Sequence, residues 1–231
     1  MGLLDTILGR TKPVRANLDA LFALPSAAVT LQVTCGLVST GHAGVCFKPP
    51  AGQSFADMQA ELEKLLEMGD SDSTGNAGAT PVSGTAVGAT PAPDLTVRHV
   101  GDRFGYRWIL VEGGELDDLV TRVHMVHSTL EDAGWSPQLL CSVFGFAPGS
   151  DGTDAAGAQP PADGEAASQA VRQPVFFVYL AKQGTFYPFA PVGEERRDTE
   201  LELRLRGILG DDLPVEPDLS RWFPIWDLPV T

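Results

Sequence analysis

The sequence predicts an α+β fold: a single domain in which an antiparallel sheet of ββα-type units carries helices packed on it, interrupted by two disordered insertions. Three observations predict it. The first is residues 173–191, QPVFFVYLAKQGTFYPFAP, the densest run of aromatic and β-branched residues, turned at Lys182, Gln183 and Gly184 into a hairpin. Val175, Phe176, Phe177, Val178, Tyr179 and Leu180 are apolar without a break, so this strand must be covered on both faces, which places the hairpin at the centre. The second is the alternation of short strand-like runs with amphipathic helical patterns. The third is a pair of stretches, 69–93 and 148–173, made of Gly, Ala, Ser, Thr, Pro and Asp with almost no large apolar residue. Such stretches bury too little surface to offset the entropy of ordering. They cut the chain into pieces too small for separate cores, so residues 1–231 are expected to form one domain with both insertions at its surface.

Taken in order, residues 1–15, MGLLDTILGRTKPVR, set Leu3, Leu4, Ile7 and Leu8 at helical spacing ahead of Arg10, Lys12 and Arg15. This segment either makes peripheral contact with an anionic membrane surface or packs as a leader on a neighbour. MGLLDT also fits the permissive myristoylation pattern. A helical turn over 17–24 is expected to stop at Pro25, with strands over 27–34 and 44–48. Ser54 then caps a helix whose face is Phe55, Met58, Leu62, Leu65 and Leu66 and whose stop is Gly69. The order repeats: a hairpin over 95–111 turned at Gly101 and Asp102, then a helix over 115–133 with Leu116, Leu119, Val120, Val123, Val126 and Leu130 on one stripe, ended by Gly134. QLLCSVFGF, 138–146, is the next strand. After the aromatic hairpin, Asp198 caps a helix to Leu209, with Glu200 and Glu202 near its positive end and Arg204 and Arg206 toward its negative end. The tail has too many prolines for a long helix, yet carries Trp222, Phe223 and Trp226, so it must wrap along something apolar.

Composition excludes some function classes. With 30 acidic and 16 basic residues the formal charge is −14, which disfavours a phosphate-backbone ligand. Cys35, Cys46 and Cys141 are odd in number, far apart and set in apolar runs, a pattern of reduced buried thiols. The sequence shows no long apolar run of membrane-span type and no signal-peptide pattern, so a cytoplasmic location is expected.

Candidate chemistry is sparse. His124, His127 and Glu131 have the spacing to put two imidazoles and a carboxylate on one side of a helix, as a metal-dependent hydrolase would need; otherwise they are boundary residues bonded locally. Residues 194–198 are either a cationic docking site or a solvated cap. Ser54, Ser136 and Ser142 lack a hydrolase elbow, and Gly113-Gly114 lacks the spacing and Lys of a phosphate loop. No catalytic residue, metal ligand or cofactor is therefore assigned. GTFYPFAP and SRWFPIW carry the strongest signal, with Phe186, Tyr187, Phe189, Trp222, Phe223 and Trp226 as either core or an exposed groove for a partner.

The ordered set ALPSAA (23–28), FGYRWILV (104–111), QLLCSVFGF (138–146), GTFYPFAP (184–191), ERRD (195–198) and LPVEPDLSRWFPIW (213–226) resembles the PspA-associated PspAB family. The resemblance covers nearly all of the chain outside the insertions, and GTFYPFAP and the C-terminal stretch are its most specific parts. It implies a prokaryotic, non-enzymatic accessory protein linked to PspA, the coiled-coil membrane-repair protein of the phage-shock envelope-stress response. An HtpX-like membrane metalloprotease is a further implied partner. The order of elements is also similar to that of secretion chaperones and YbjN-like proteins, which leaves a cytosolic chaperone-like module unrelated to envelope stress as an alternative.

Overall fold

The computed structural model describes residues 17–49, 96–149, 170–193 and 195–230. The segment 1–15, the helix expected from Ser54 to Gly69, the insertion at 69–93 and most of that at 148–173 lie outside the described residues. The margins of the second insertion are structured: Pro148 ends a strand, and Val171 is buried with its N–H donating to the Cys35 carbonyl at 2.9 Å.

Six antiparallel strands form one sheet in the order β2-β3-β1-β4-β5-β6: β1 Leu37–Phe47, β2 Thr96–Gly101, β3 Arg107–Glu112, β4 Leu139–Pro148, β5 Val175–Leu180 and β6 Thr185–Phe189. Among the described residues three α-helices, α1 Leu24–Cys35, α2 Leu116–Asp132 and α3 Thr199–Leu209, complete an α+β arrangement. The aromatic hairpin β5-β6 forms as expected but at one end of the sheet, with β1 and β4 central. Its need for cover on both faces is met, since Val175, Phe177 and Tyr179 enter one core and Phe176 and Val178 the other.

The largest departure lies at residues 24–35. The β-branched Val29, Thr30, Val33 and Thr34 read locally as a strand, but the chain is helical from Leu24 to Cys35. Pro25 does not stop this helix. It stands in its first turn, where a missing N–H costs nothing, and Gly36 closes the far end at φ 67°. Leu21, Leu24, Ala27, Leu31 and Cys35 pack on the sheet, while Phe22, Val29 and Val33 stay exposed. The 18 residues Leu18–Cys35 reach a mean hydropathy of 1.4, enough by length and composition for a membrane span, contrary to the sequence reading. The buried stripe shows instead a helix lying on the sheet. With helix preceding strand here, the first ββα unit does not form.

α2 and α3 match the sequence closely. The Asp118 carboxylate accepts the Glu115 N–H at the start of α2, and the Asp198 carboxylate accepts the Leu201 N–H at 3.0 Å at the start of α3. All three helices cover the same sheet face over a core that includes Ile109, Val111, Phe144, Phe146 and Phe177. A bulge sets the two-sided pattern of β4. The register steps from Cys46↔Cys141 to Phe47↔Leu139, so Leu139 enters the helix-side core although Cys141, two residues on, faces the other side.

Candidate functional site

The second sheet face is covered by the C-terminal tail. Val215 makes a parallel bridge to Phe186: the Phe186 N–H donates to the Pro214 carbonyl at 2.8 Å and the Glu216 N–H to the Phe186 carbonyl at 2.7 Å. This blunts the open edge of β6. The tail then turns over the face on two buried carboxylates. Glu216 accepts from Thr185 Oγ1 at 2.7 Å and from the Asp218 N–H at 3.0 Å, and Arg221 stands 3.7 Å away. Glu202 of α3 accepts Arg197 Nε on both oxygens, at 2.9 and 2.8 Å, and the Ala190 N–H at 2.9 Å. Arg197 extends Nη1 to the Trp222 carbonyl at 2.6 Å, so one guanidinium ties α3 to the tail.

Trp222 is buried. Its ring stacks on Tyr187 at 5.9 Å and its Nε1–H donates to the Glu216 carbonyl, while Tyr187 donates its hydroxyl proton to the Phe223 carbonyl at 2.7 Å. Burial pushes the Tyr187 phenol well above its usual range, so it stays a donor. Further along, Trp226 meets Phe189 edge-on at 5.3 Å and Val230 lies on β1 at Gly44. A Cβ at Gly44 would stand 2.8 Å from Val230, so only glycine lets the tail approach this strand.

Between this tail and the β2-β3 turn lies a cleft of about 530 Å³, with Tyr106, Trp108 and Tyr187 in its walls and Cys46 and Cys141 also lining it. Phe104, Leu140 and Phe223 form its exposed rim. Asp102 shapes the turn by accepting the N–H groups of Phe104 and Tyr106 and Trp108 Nε1–H. Arg103 pairs with Asp227 at 2.6 Å and lies over the Phe104 ring, which joins turn to tail.

The six aromatics marked from sequence therefore divide. Phe186 faces the helix-side core beside Tyr179, and Tyr187, Phe189 and Trp222 are buried under the tail, so these four are structural. Phe223, 63% exposed, and the partly exposed Trp226 remain available to a partner. Sequence reasoning missed Phe104, 54% exposed, by placing it in a strand; an aromatic inside the polar turn GDRFG was the signal.

The metal reading loses its geometry. His127 is fully buried, not a boundary residue, with Nε2 2.6 Å from Ser142 Oγ, whereas His124 packs its ring 5.2 Å from Phe22. Among the described residues no three His, Cys, Asp or Glu side chains are placed to hold a metal. Desolvation, with a smaller push from His124, lowers the His127 pKa from 6.5 to about 4, so the ring is neutral. His127 Nδ1 has no partner among the described residues, and an orphaned acceptor costs less than an orphaned donor, so Nε2 carries the proton and donates to Ser142.

The motifs that meet on the tail face are those the resemblance rests on, and comparison with known families agrees. The family model PspAB, described as PspA associated protein B, matches residues 1–230. The chain belongs to the PspAB family. The family's name associates its members with PspA. No curated protein and no solved structure matches the chain. In this PspAB chain ERRD supplies Arg197, whose guanidinium holds the Trp222 carbonyl of the C-terminal motif, and GTFYPFAP supplies the Tyr187 on which Trp222 stacks.

Proposed function

We propose that this protein is a non-enzymatic accessory factor of the PspA phage-shock envelope-stress system, acting by binding PspA or its membrane partners. Membership of the PspAB family across residues 1–230 carries this reading. The tail-face cleft is its contact site: an apolar opening rimmed by Phe104, Leu140 and Phe223 suits the apolar stripe of an amphipathic helix, such as a PspA-like coiled-coil protein would offer. An HtpX-like membrane metalloprotease is a second partner. The protein works in the cytoplasm and touches the membrane at most peripherally, through residues 1–15, whose basic and apolar residues suit an anionic surface.

A pull-down of the PspA homologue from the same organism tests both parts. The intact chain is expected to retain PspA, and Phe223→Ala and Trp226→Ala to weaken retention at least about tenfold, as central interface aromatics do, with unchanged circular dichroism. Failure to recover PspA removes the function. Normal binding by both variants moves the site elsewhere. Trp222→Ala is a poor probe, because Trp222 holds the tail in place.

A further inference from the structure

Cys46 on β1 and Cys141 on β4 are directly opposed in the antiparallel register. Opposed residues of such strands have Cα atoms about 4.5–5.5 Å apart, inside the roughly 4.4–6.8 Å that a disulfide spans, and point to the same sheet face. Both side chains enter the same tail-side core, and both cysteines are free. They are 4% and 8% exposed, and both residues line the tail-face cleft, which brings a small solute beside the pair. Cys35 differs in each respect: it is fully buried, on the helix side, and on α1.

We propose that Cys46 and Cys141 form a dithiol modification site, oxidised by hydrogen peroxide to a reversible cross-strand disulfide in the lining of the tail-face cleft. The bulge beside the pair supplies the backbone slack. Forming the bond draws the Cβ atoms from about 4.5–5.5 Å to about 3.8 Å, and the register already slips between Cys46 and Phe47.

The sulfurs divide the work. Cys141 is the more exposed residue of the pair, at 8% against 4%, so it meets peroxide first. The Cys141 thiolate takes one peroxide oxygen as the O–O bond breaks, giving a sulfenic acid and hydroxide, which leaves as water once protonated. Cys46 then displaces the sulfenic hydroxyl: the S–S bond forms, the S–O bond breaks, and the Cys46 proton leaves with a second water. In sum two thiols lose two protons and two electrons, and one peroxide becomes two waters. An added thiol reverses the reaction by attacking the bridge through a mixed disulfide, which returns the dithiol. The proposal is independent of what occupies the cleft.

The test uses the full chain, reduced, exposed to hydrogen peroxide, blocked with an alkylating agent and digested without reductant. Mass spectrometry is expected to find an intact mass lower by two hydrogens, a Cys46–Cys141 cross-linked peptide pair, and return to the dithiol with dithiothreitol. Because Cys35 and Cys46 fall on one tryptic peptide, fragment spectra must place the link. In Cys46→Ala the product is expected to change to oxygen addition at Cys141; if that variant fails to fold, the wild-type map decides alone. Oxygen adducts without a link in the wild type, links through Cys35, or intact thiols under exposure that oxidises a free cysteine peptide would each overturn the proposal.

Discussion

One face of the sheet is sealed by three helices and the other by a proline-broken tail, and the two covers are held by different chemistry. A helix satisfies its own backbone, so α1, α2 and α3 need only present an apolar stripe, and that core is almost entirely hydrophobic. The tail makes few regular bonds of its own. Its carbonyls at Glu216, Trp222 and Phe223 are met by Trp222 Nε1, Arg197 and the Tyr187 hydroxyl, and its bends rest on buried Glu216 and Glu202. Irregular cover thus requires buried charge and named donors, and it closes less completely, leaving the cleft.

The strongest way to break this contrast is Arg197→Ala. Glu202, 1% exposed, would lose its cation, and the Trp222 carbonyl would lose its donor. A loss of about 3–5 kcal/mol in urea unfolding is expected. A loss under about 1 kcal/mol would mean that the tail is held by apolar contact alone, like the helices.

On the helix side a fully buried His127 is a polar liability. Above pH 6.5 its ring is neutral in folded and unfolded chains alike; between 6.5 and about 4 the unfolded chain takes a proton that the folded chain refuses. Stability should therefore fall with pH through that window, by roughly 3 kcal/mol in all, and level off below it. His127→Gln should flatten the slope between urea melts at pH 7 and pH 4.5. An unchanged slope would show that His127 is not the source of the acid sensitivity.

Smaller effects sharpen the comparison. Asp198→Ala removes the α3 cap and the acceptor for Gln173 Nε2, with an expected cost of about 1 kcal/mol in thermal unfolding. Phe223→Ala, on the cleft rim, should change stability by no more than about 0.5 kcal/mol, since the ring is exposed. A larger loss would show that the rim is part of the cover.

Much of this was open to sequence reading. α2, α3, the hairpins and β4 follow from period and punctuation, because a stripe every three or four residues, or a Gly at a turn, is a local property. The 24–35 helix was not, since its β-branched residues favour a strand locally and contact with the sheet overrides them. His127 looked like a boundary residue because helical phase places a side chain only to within a neighbouring position, while Ser142 across the core decided its burial.

The sequence by itself determined the α+β class, two of the three α-helices among the described residues, the family, and that the C-terminal aromatics needed an apolar surface. Only the tertiary structure decided that Phe186, Tyr187, Phe189 and Trp222 are core while Phe223 is rim, that Arg197 serves Glu202 and Trp222, and that Cys46 stands opposite Cys141. Each of these is a contact between segments far apart in the chain. Strand order and register create it, and no local period encodes either.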